Sequence, residues 1–269
     1  MLYDRDYRIG LTEAEEQQYE KITGRKFLEK RVSGFGMVNN FMAYPKAARM
    51  CKSLFPNNYL DVAELRNQER LKHANEEFIF LLNNKESTER DVLNFIREKE
   101  YYHIIGSIIW GLSINIGHHG AYLFPEFQLS SSYKADYLLM GRSSGGFEFI
   151  FIELESPYGN ITLKDGQLGA EFRDGISQLE DWKRWFPANY NSFGEIMRKY
   201  KNNAFDLPEE FYVLDMSRFH YVVVAGRRED FKDKTYIIKR ERKKADDIDI
   251  IHYDNLVDYA DNLIGKRTY

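Results

Sequence analysis

Apolar residues crowd two successive stretches of the chain, ADYLLM and FEFIFIELE, with the glycine- and serine-rich GRSSGG between them. Residues 135–155 therefore read as a β-hairpin turning near Ser144. Apolar side chains on both faces of each strand place the hairpin deep in a sheet. Upstream, Thr12 and Glu15 form a capping-box pattern that opens a helix over EAEEQQYEKI. The glycine-punctuated VSGFGMVNNFMAYPKAARM follows, then NNYLDVAELRNQERLKHANEEF, which has helical spacing. EEFIFLLNN reads as helix, and Ser87-Thr88-Glu89 opens another over TERDVLNFIREKE, with Val92, Phe95 and Ile96 on its buried face. HIIGSIIWGLSI is strand-like, a buried helix being the other option, and YLFPEFQL is a strand that feeds the hairpin.

Beyond the hairpin, PYGNITLKDG is a loop, and residues 167–186 form a helix whose core stripe is Leu168, Phe172, Ile176, Leu179 and Phe186. A second helix is expected over residues 191–202. Strands are expected at HYVVVAG, TYIIK and IDIIHYD, and residues 255–264 close the chain as a helix. The pattern divides into an N-terminal accessory or assembly segment, residues 1–70, and a main α/β domain, residues 71–269.

Three acids interrupt the apolar hairpin. A turn at Ser144 puts Asp136 opposite residue 152 or 153, and Glu153 and Glu155, two apart, share a face. Carboxylates gathered at one end of a buried hairpin repel one another, and a divalent cation with oxygen ligands, Mg²⁺ or Mn²⁺, relieves that repulsion. A solvated strand end is the competing explanation, because Ser156-Pro157 terminates the strand at that point. Glu89, in the first turn of its helix, is explained locally by the helix dipole. Gln178 belongs to a polar stripe with Glu171, Asp174 and Asp181. It either reaches across the sheet to a phosphate or water, or faces solvent.

Composition narrows the class. The 269 residues are 15% aromatic and 30% charged, which suits a globular domain with a large core. The single cysteine, Cys51, excludes an intrachain disulfide and a cysteine-only zinc cluster, and points to a reducing cytoplasm. The N-terminal MLYDRDYRIG lacks the apolar core of a secretory signal, and no run is long enough to span a membrane. With a net charge of −4, nucleic acid must be held by local basic patches. The KRERKKADD segment, with Lys239, Arg240, Arg242, Lys243 and Lys244, is one such patch or a solvated turn. The adjacent histidines His118 and His119 fit an exposed loop better than a metal site.

The order of these residues resembles the PD-(D/E)xK nuclease superfamily: a helix glutamate, an aspartate opening a strand, Glu-x-Glu on the next strand, then a helix glutamine. Phe151-Ile-Glu-Leu-Glu-Ser-Pro157, Ile176-Ser-Gln-Leu-Glu-Asp-Trp182 and His252-Tyr-Asp-Asn-Leu256 resemble, more closely, the Shedu anti-phage nuclease domain. The likeness covers roughly residues 75–265. It implies a restriction-endonuclease-like mixed sheet flanked by helices and Mg²⁺- or Mn²⁺-dependent hydrolysis of DNA in bacterial defence, often by a homo-oligomer. It makes Asp136 and Glu153 the metal ligands and gives Glu155, Gln178 and Glu89 catalytic roles. Arg227, Arg228 and the basic residues Arg240, Arg242, Lys243 and Lys244 would hold the DNA backbone. Glu155 stands where most superfamily members carry lysine. Glu155 then serves as base, a lysine such as Lys164 or Lys183 substitutes, or the domain binds nucleic acid or senses phage without cutting. An assembly scaffold built on the aromatic N-terminal segment is a further, more distant reading.

Overall fold

The computed structural model describes residues 1–3, 5–23, 40–114 and 116–269. The N-terminal helices are α1 (Glu13–Thr23) and α2 (Pro45–Lys52), followed by α3 (Gln68–Asn83) and α4 (Glu89–Lys99). Thr12 and Glu15 close the expected box ahead of α1, the Thr12 amide donating to Glu15 Oε2 at 2.8 Å. Thr88 caps α4, accepting from the Asp91 amide while Asp91 accepts from the Thr88 amide. Part of the glycine-punctuated stretch, residues 32–39, lies outside the described residues.

The sheet has five strands in the order β1-β2-β3-β4-β5. These are β1 (Ala121–Gln128), β2 (Lys134–Ser143), β3 (Gly146–Leu154), β4 (Phe219–Val224) and β5 (Ile248–Ile251). β1, β2 and β3 form an antiparallel meander, whereas β4 and β5 continue the sheet parallel to β3. Parallel neighbours need crossovers, and helices supply both. α5 (Ala170–Arg198) joins β3 to β4, and α6 (Asp233–Asp246) joins β4 to β5. The right-handed rule puts both helices on one face, where Arg242 of α6 meets Glu180 of α5 at 3.1 Å. α7 (Tyr253–Leu263) closes the chain and packs near α3.

Phe149 and Phe151 of β3 face α5, with Phe151 and Phe186 ring centroids 5.1 Å apart. Residues 54–65 of the expected accessory segment contribute Phe55, Leu60 and Leu65 to the same core, and the Leu60 amide donates to the Ala121 carbonyl at 2.9 Å.

Two expectations fail locally, and one choice left open by the sequence resolves to helix. HIIGSIIWGLSI forms two short helices, His103–Gly106 and Ile108–Gly111, not a strand. Ile104, Ile105, Ile108 and Ile109 are buried at helical spacing, and a Cβ on Gly106 would stand 2.6 Å from the Tyr269 ring. TYIIK is the start of α6 rather than a strand. Its β-branched residues favour a strand locally, but the parallel β4–β5 connection requires a helix there. α5 begins at Ala170, not residue 167, and runs through Pro187 into the helix expected at residue 191, with a kink at Asn189 (φ −132°, ψ 16°).

Candidate active site

The register Tyr137↔Ile152 carries Asp136 to a position across from Glu153. Asp136 Oδ2 accepts from the Leu154 amide at 2.8 Å, which fixes the carboxylate against β3. Strand pairing of β3 ends at Leu154, yet the Glu155 amide still donates to Val224 at 2.8 Å. Glu155 therefore remains in line with Glu153, at the carboxyl edge shared by β3, β4 and β5. Asp136, Glu153 and Glu155 are only 8%, 6% and 9% exposed.

Two helices close on this edge. In α5, Gly175 allows the backbone to touch the sheet: a Cβ there would stand 2.6 Å from Val223 Cγ2 and 3.0 Å from Glu155 Cγ. One turn on, Gln178 Nε2 lies 3.5 Å from Glu155 Oε1, the outer limit of a hydrogen bond. In α4, the first-turn residue Glu89 is half-buried and near enough to act electrostatically on Asp136, Glu153 and Glu155. From below, Tyr253 Oη donates to the Glu155 carbonyl at 2.6 Å.

The electrostatics follow from that crowding. Burial pushes the Asp136 carboxyl up; its bond from the Leu154 amide opposes this, and Glu89 adds to it. Burial also raises Glu153, with Asp136, Glu155 and Glu89 acting in the same direction. Glu155 is pushed up to about 8 by burial and then by Glu89, Glu171, Asp136 and Asp174. Glu89 is itself raised, first by burial. Glu153 Oε2 is buried without a hydrogen-bond partner. An orphaned carboxylate oxygen among other acids is costly unless a proton or a cation joins it.

The donor set suits a hard cation. Among the described residues, no three acid, histidine or cysteine side chains converge closely enough to cage an ion unaided. Mg²⁺ does not require such a cage, because one or two carboxylates with water and phosphate oxygens complete its shell. Asp136 and Glu153 can supply those carboxylates.

Other expected residues are placed differently. Arg227 Nη2 pairs with Asp254 at 2.8 Å, and its Nη1 donates to Tyr158 Oη at 2.9 Å and to the Leu82 carbonyl. Arg228 pairs with Asp258. Arg242 meets Glu180 and Asp246, Lys243 meets Asp247 and Asp249, and Arg240 and Lys244 are exposed. Arg242 and Lys243 of this patch thus lie on the α6 face of the sheet, tied to α5 through Glu180 and to β5 through Asp249. Lys183 donates to the Asp246 carbonyl and lies over the Tyr221 ring rather than among the acids. His118 and His119 are exposed, and His119 lies 3.4 Å from Ser144 at the turn end of the hairpin.

Glu171 and Asp174 join the acid cluster electrostatically, although the sequence singled them out only as part of a polar stripe. Their spacing with Gln178 was the available signal. Tyr253 stands within the His252–Leu256 motif, which by itself gives it no role, since only the fold brings α7 to the Glu155 carbonyl.

The sequence model of the family described as Shedu protein SduA, C-terminal, matches residues 86–257. That span runs from the residues before α4 into α7 and contains Glu89, Asp136, Glu153, Glu155, Glu171, Asp174 and Gln178. No curated protein matches the chain.

Proposed function

The chain belongs to the Shedu family, whose role is in anti-phage defence, and from that premise and the acid cluster we propose a metal-dependent DNA endonuclease. The observation that carries this reading is the buried, unpartnered Glu153 Oε2 facing a neighbourhood of carboxylates. The mixed sheet with an acid-bearing hairpin and a helix glutamine supports a PD-(D/E)xK arrangement.

In this mechanism Asp136 and Glu153 would hold Mg²⁺ or Mn²⁺. When bound, the ion supplies positive charge that lowers the pKa of water and offsets charge building on the scissile phosphate. The chain provides the rest. The Leu154 amide fixes Asp136, so that ligand is set before substrate arrives. Glu155, on the same face as Glu153 and two residues on, would accept a proton from the attacking water in its ionised form, which a bound cation favours against the burial and neighbouring acids that raise its pKa. Gln178 orients Glu155 and donates toward the phosphate. Glu89 adds negative charge that favours cation uptake. The carboxylate at Glu155 does the work of a base that lysine does elsewhere in the superfamily.

The direct test is cleavage of plasmid and linear duplex DNA in Mg²⁺, with chelator as control. The expected result is cleavage that requires the ion. Tight DNA binding without cleavage in either Mg²⁺ or Mn²⁺ would instead identify a retired nuclease fold used for binding or sensing.

A further inference from the structure

Beside the acid cluster lies a basic cluster of different character from the patch on α6. Glu126 of β1 gathers three cations: Lys134 at 2.9 Å, Arg90 at 3.7 Å and Arg97 at 3.8 Å. The contributors come from three elements. Arg90 and Arg97 lie two turns apart on one face of α4, and Lys134 opens β2. All four side chains are substantially exposed, with Arg90 64% and Lys134 45% accessible. Around Arg242 and Lys243 each cation meets two carboxylates. Around Glu126, one carboxylate serves three cations, and Glu89 and Asp136 act on Arg90 and Lys134 only through space, without a close ion pair.

The position is as informative as the charge. The pairs Pro125↔Tyr137 and Phe127↔Ala135 bracket Glu126 and set it level with Asp136 on the neighbouring strand, roughly 5 Å away. Glu126 also adopts φ +48°, a left-handed conformation that a residue with a β-carbon rarely holds. The edge strand is thus turned locally at the point where its carboxylate engages the cations. Lys134 is two residues before Asp136, and Arg90 follows Glu89, so acids and bases share a single border.

We propose that Arg90, Arg97 and Lys134 form the phosphate-gripping rail that seats a nucleic-acid backbone against the acid cluster, with Glu126 occupying the phosphate's place until DNA displaces it. The inference rests on the nuclease reading for its substrate but concerns binding alone. Arg90 and Arg97 offer planar forks suited to successive phosphate oxygens, and Lys134 offers a point charge nearest Asp136. Contacts of this kind set position rather than sequence, and each contributes to the salt dependence of binding.

The test is duplex-DNA affinity in chelator over a salt series, for the full chain and its variants. The double variant Arg90→Gln/Arg97→Gln is expected to bind several-fold more weakly, with the log–log salt slope reduced by about 2. Lys134→Gln should lower the slope by about 1, and Glu126→Gln should bind more tightly than wild type. The opposite sign for Glu126→Gln separates a phosphate site from simple loss of folding. Wild-type binding with affinity and slope unchanged in all four substitutions overturns the rail and leaves the nuclease reading intact. Weakened variants, together with a wild type that does not cleave DNA in a parallel assay with Mg²⁺ or Mn²⁺, keep the rail and defeat the nuclease reading. Wild type that ignores DNA at low salt defeats both.

Discussion

Glu153→Gln is expected to abolish Mg²⁺-dependent cleavage, by a factor on the order of 10³, while making the metal-free protein more stable. The two effects share one cause. In the absence of an ion, the Glu153 carboxyl is buried at 6% exposure beside Asp136 and Glu155, and ionising it is unfavourable. Glutamine keeps the shape, removes the charge and supplies a donor for a neighbouring carboxylate. A gain of about 1–2 kcal/mol follows near pH 8, or roughly 2–8 °C in Tm. The direction with pH follows from the proton balance. Asp136, Glu153 and Glu155 have raised folded-state pKa values, Glu155 reaching about 8, whereas unfolded carboxylates titrate near about 4. Between those limits the folded state binds more protons, so metal-free stability is fully present at low pH and is lost as pH rises through the folded values. Thermal melts from about pH 5 to 9 should show that decline in wild type, a shallower one in Glu153→Gln, and recovery on adding Mg²⁺ only in wild type. A wild-type protein whose metal-free stability climbs over that range would contradict the account.

Arg227→Ala is expected to cost about 3 kcal/mol and to lower cleavage as well. The side chain is 14% exposed and pairs with Asp254, at 23%, through two nitrogens, Nη2 at 2.8 Å and Nε at 3.1 Å. Its remaining nitrogen reaches Tyr158 Oη and the Leu82 carbonyl, which Tyr158 Oη also approaches at 2.6 Å. One guanidinium thus ties the end of α3 to the loop after β3 and the start of α7. α4, carrying Glu89, follows α3 directly. Removing the tie leaves Asp254 and the Leu82 carbonyl short of partners and frees Glu89 to move from the acid edge. Its neighbour Arg228, exposed and paired with Asp258, serves as the control: Arg228→Ala should cost about 0.5 kcal/mol. Urea unfolding distinguishes the two. Equal and small losses would mean that the tie is not structural.

Much of the acid edge was legible before any coordinates. Two apolar runs joined by a Gly/Ser turn located the hairpin, and a period of two then brought Asp136, Glu153 and Glu155 to one end. Cap chemistry placed the start of α4 at Thr88, and with it Glu89. What was not legible depended on contacts distant in sequence. TYIIK has strand composition, and only the parallel pairing of β4 with β5 demands a crossover helix there. The buried isoleucines of residues 103–111 carry both signals, and Tyr269 at the other end of the chain packs against Gly106. Arg227 reads as a free surface cation until Asp254, Tyr158 and Leu82 are seen around it. The gathering of Arg90, Arg97 and Lys134 on Glu126 combines a helix and two strands, and no linear spacing announces it.

The central claim is that the buried acids at the end of the hairpin are tolerated because a divalent cation joins them. Isothermal titration of Mn²⁺ and Mg²⁺ into the metal-free protein tests it most directly, with Asp136→Asn and Glu153→Gln alongside. Saturable uptake by wild type, accompanied by proton release and lost in both variants, is the predicted result. Absence of uptake by wild type, or uptake unchanged in the variants, would contradict it.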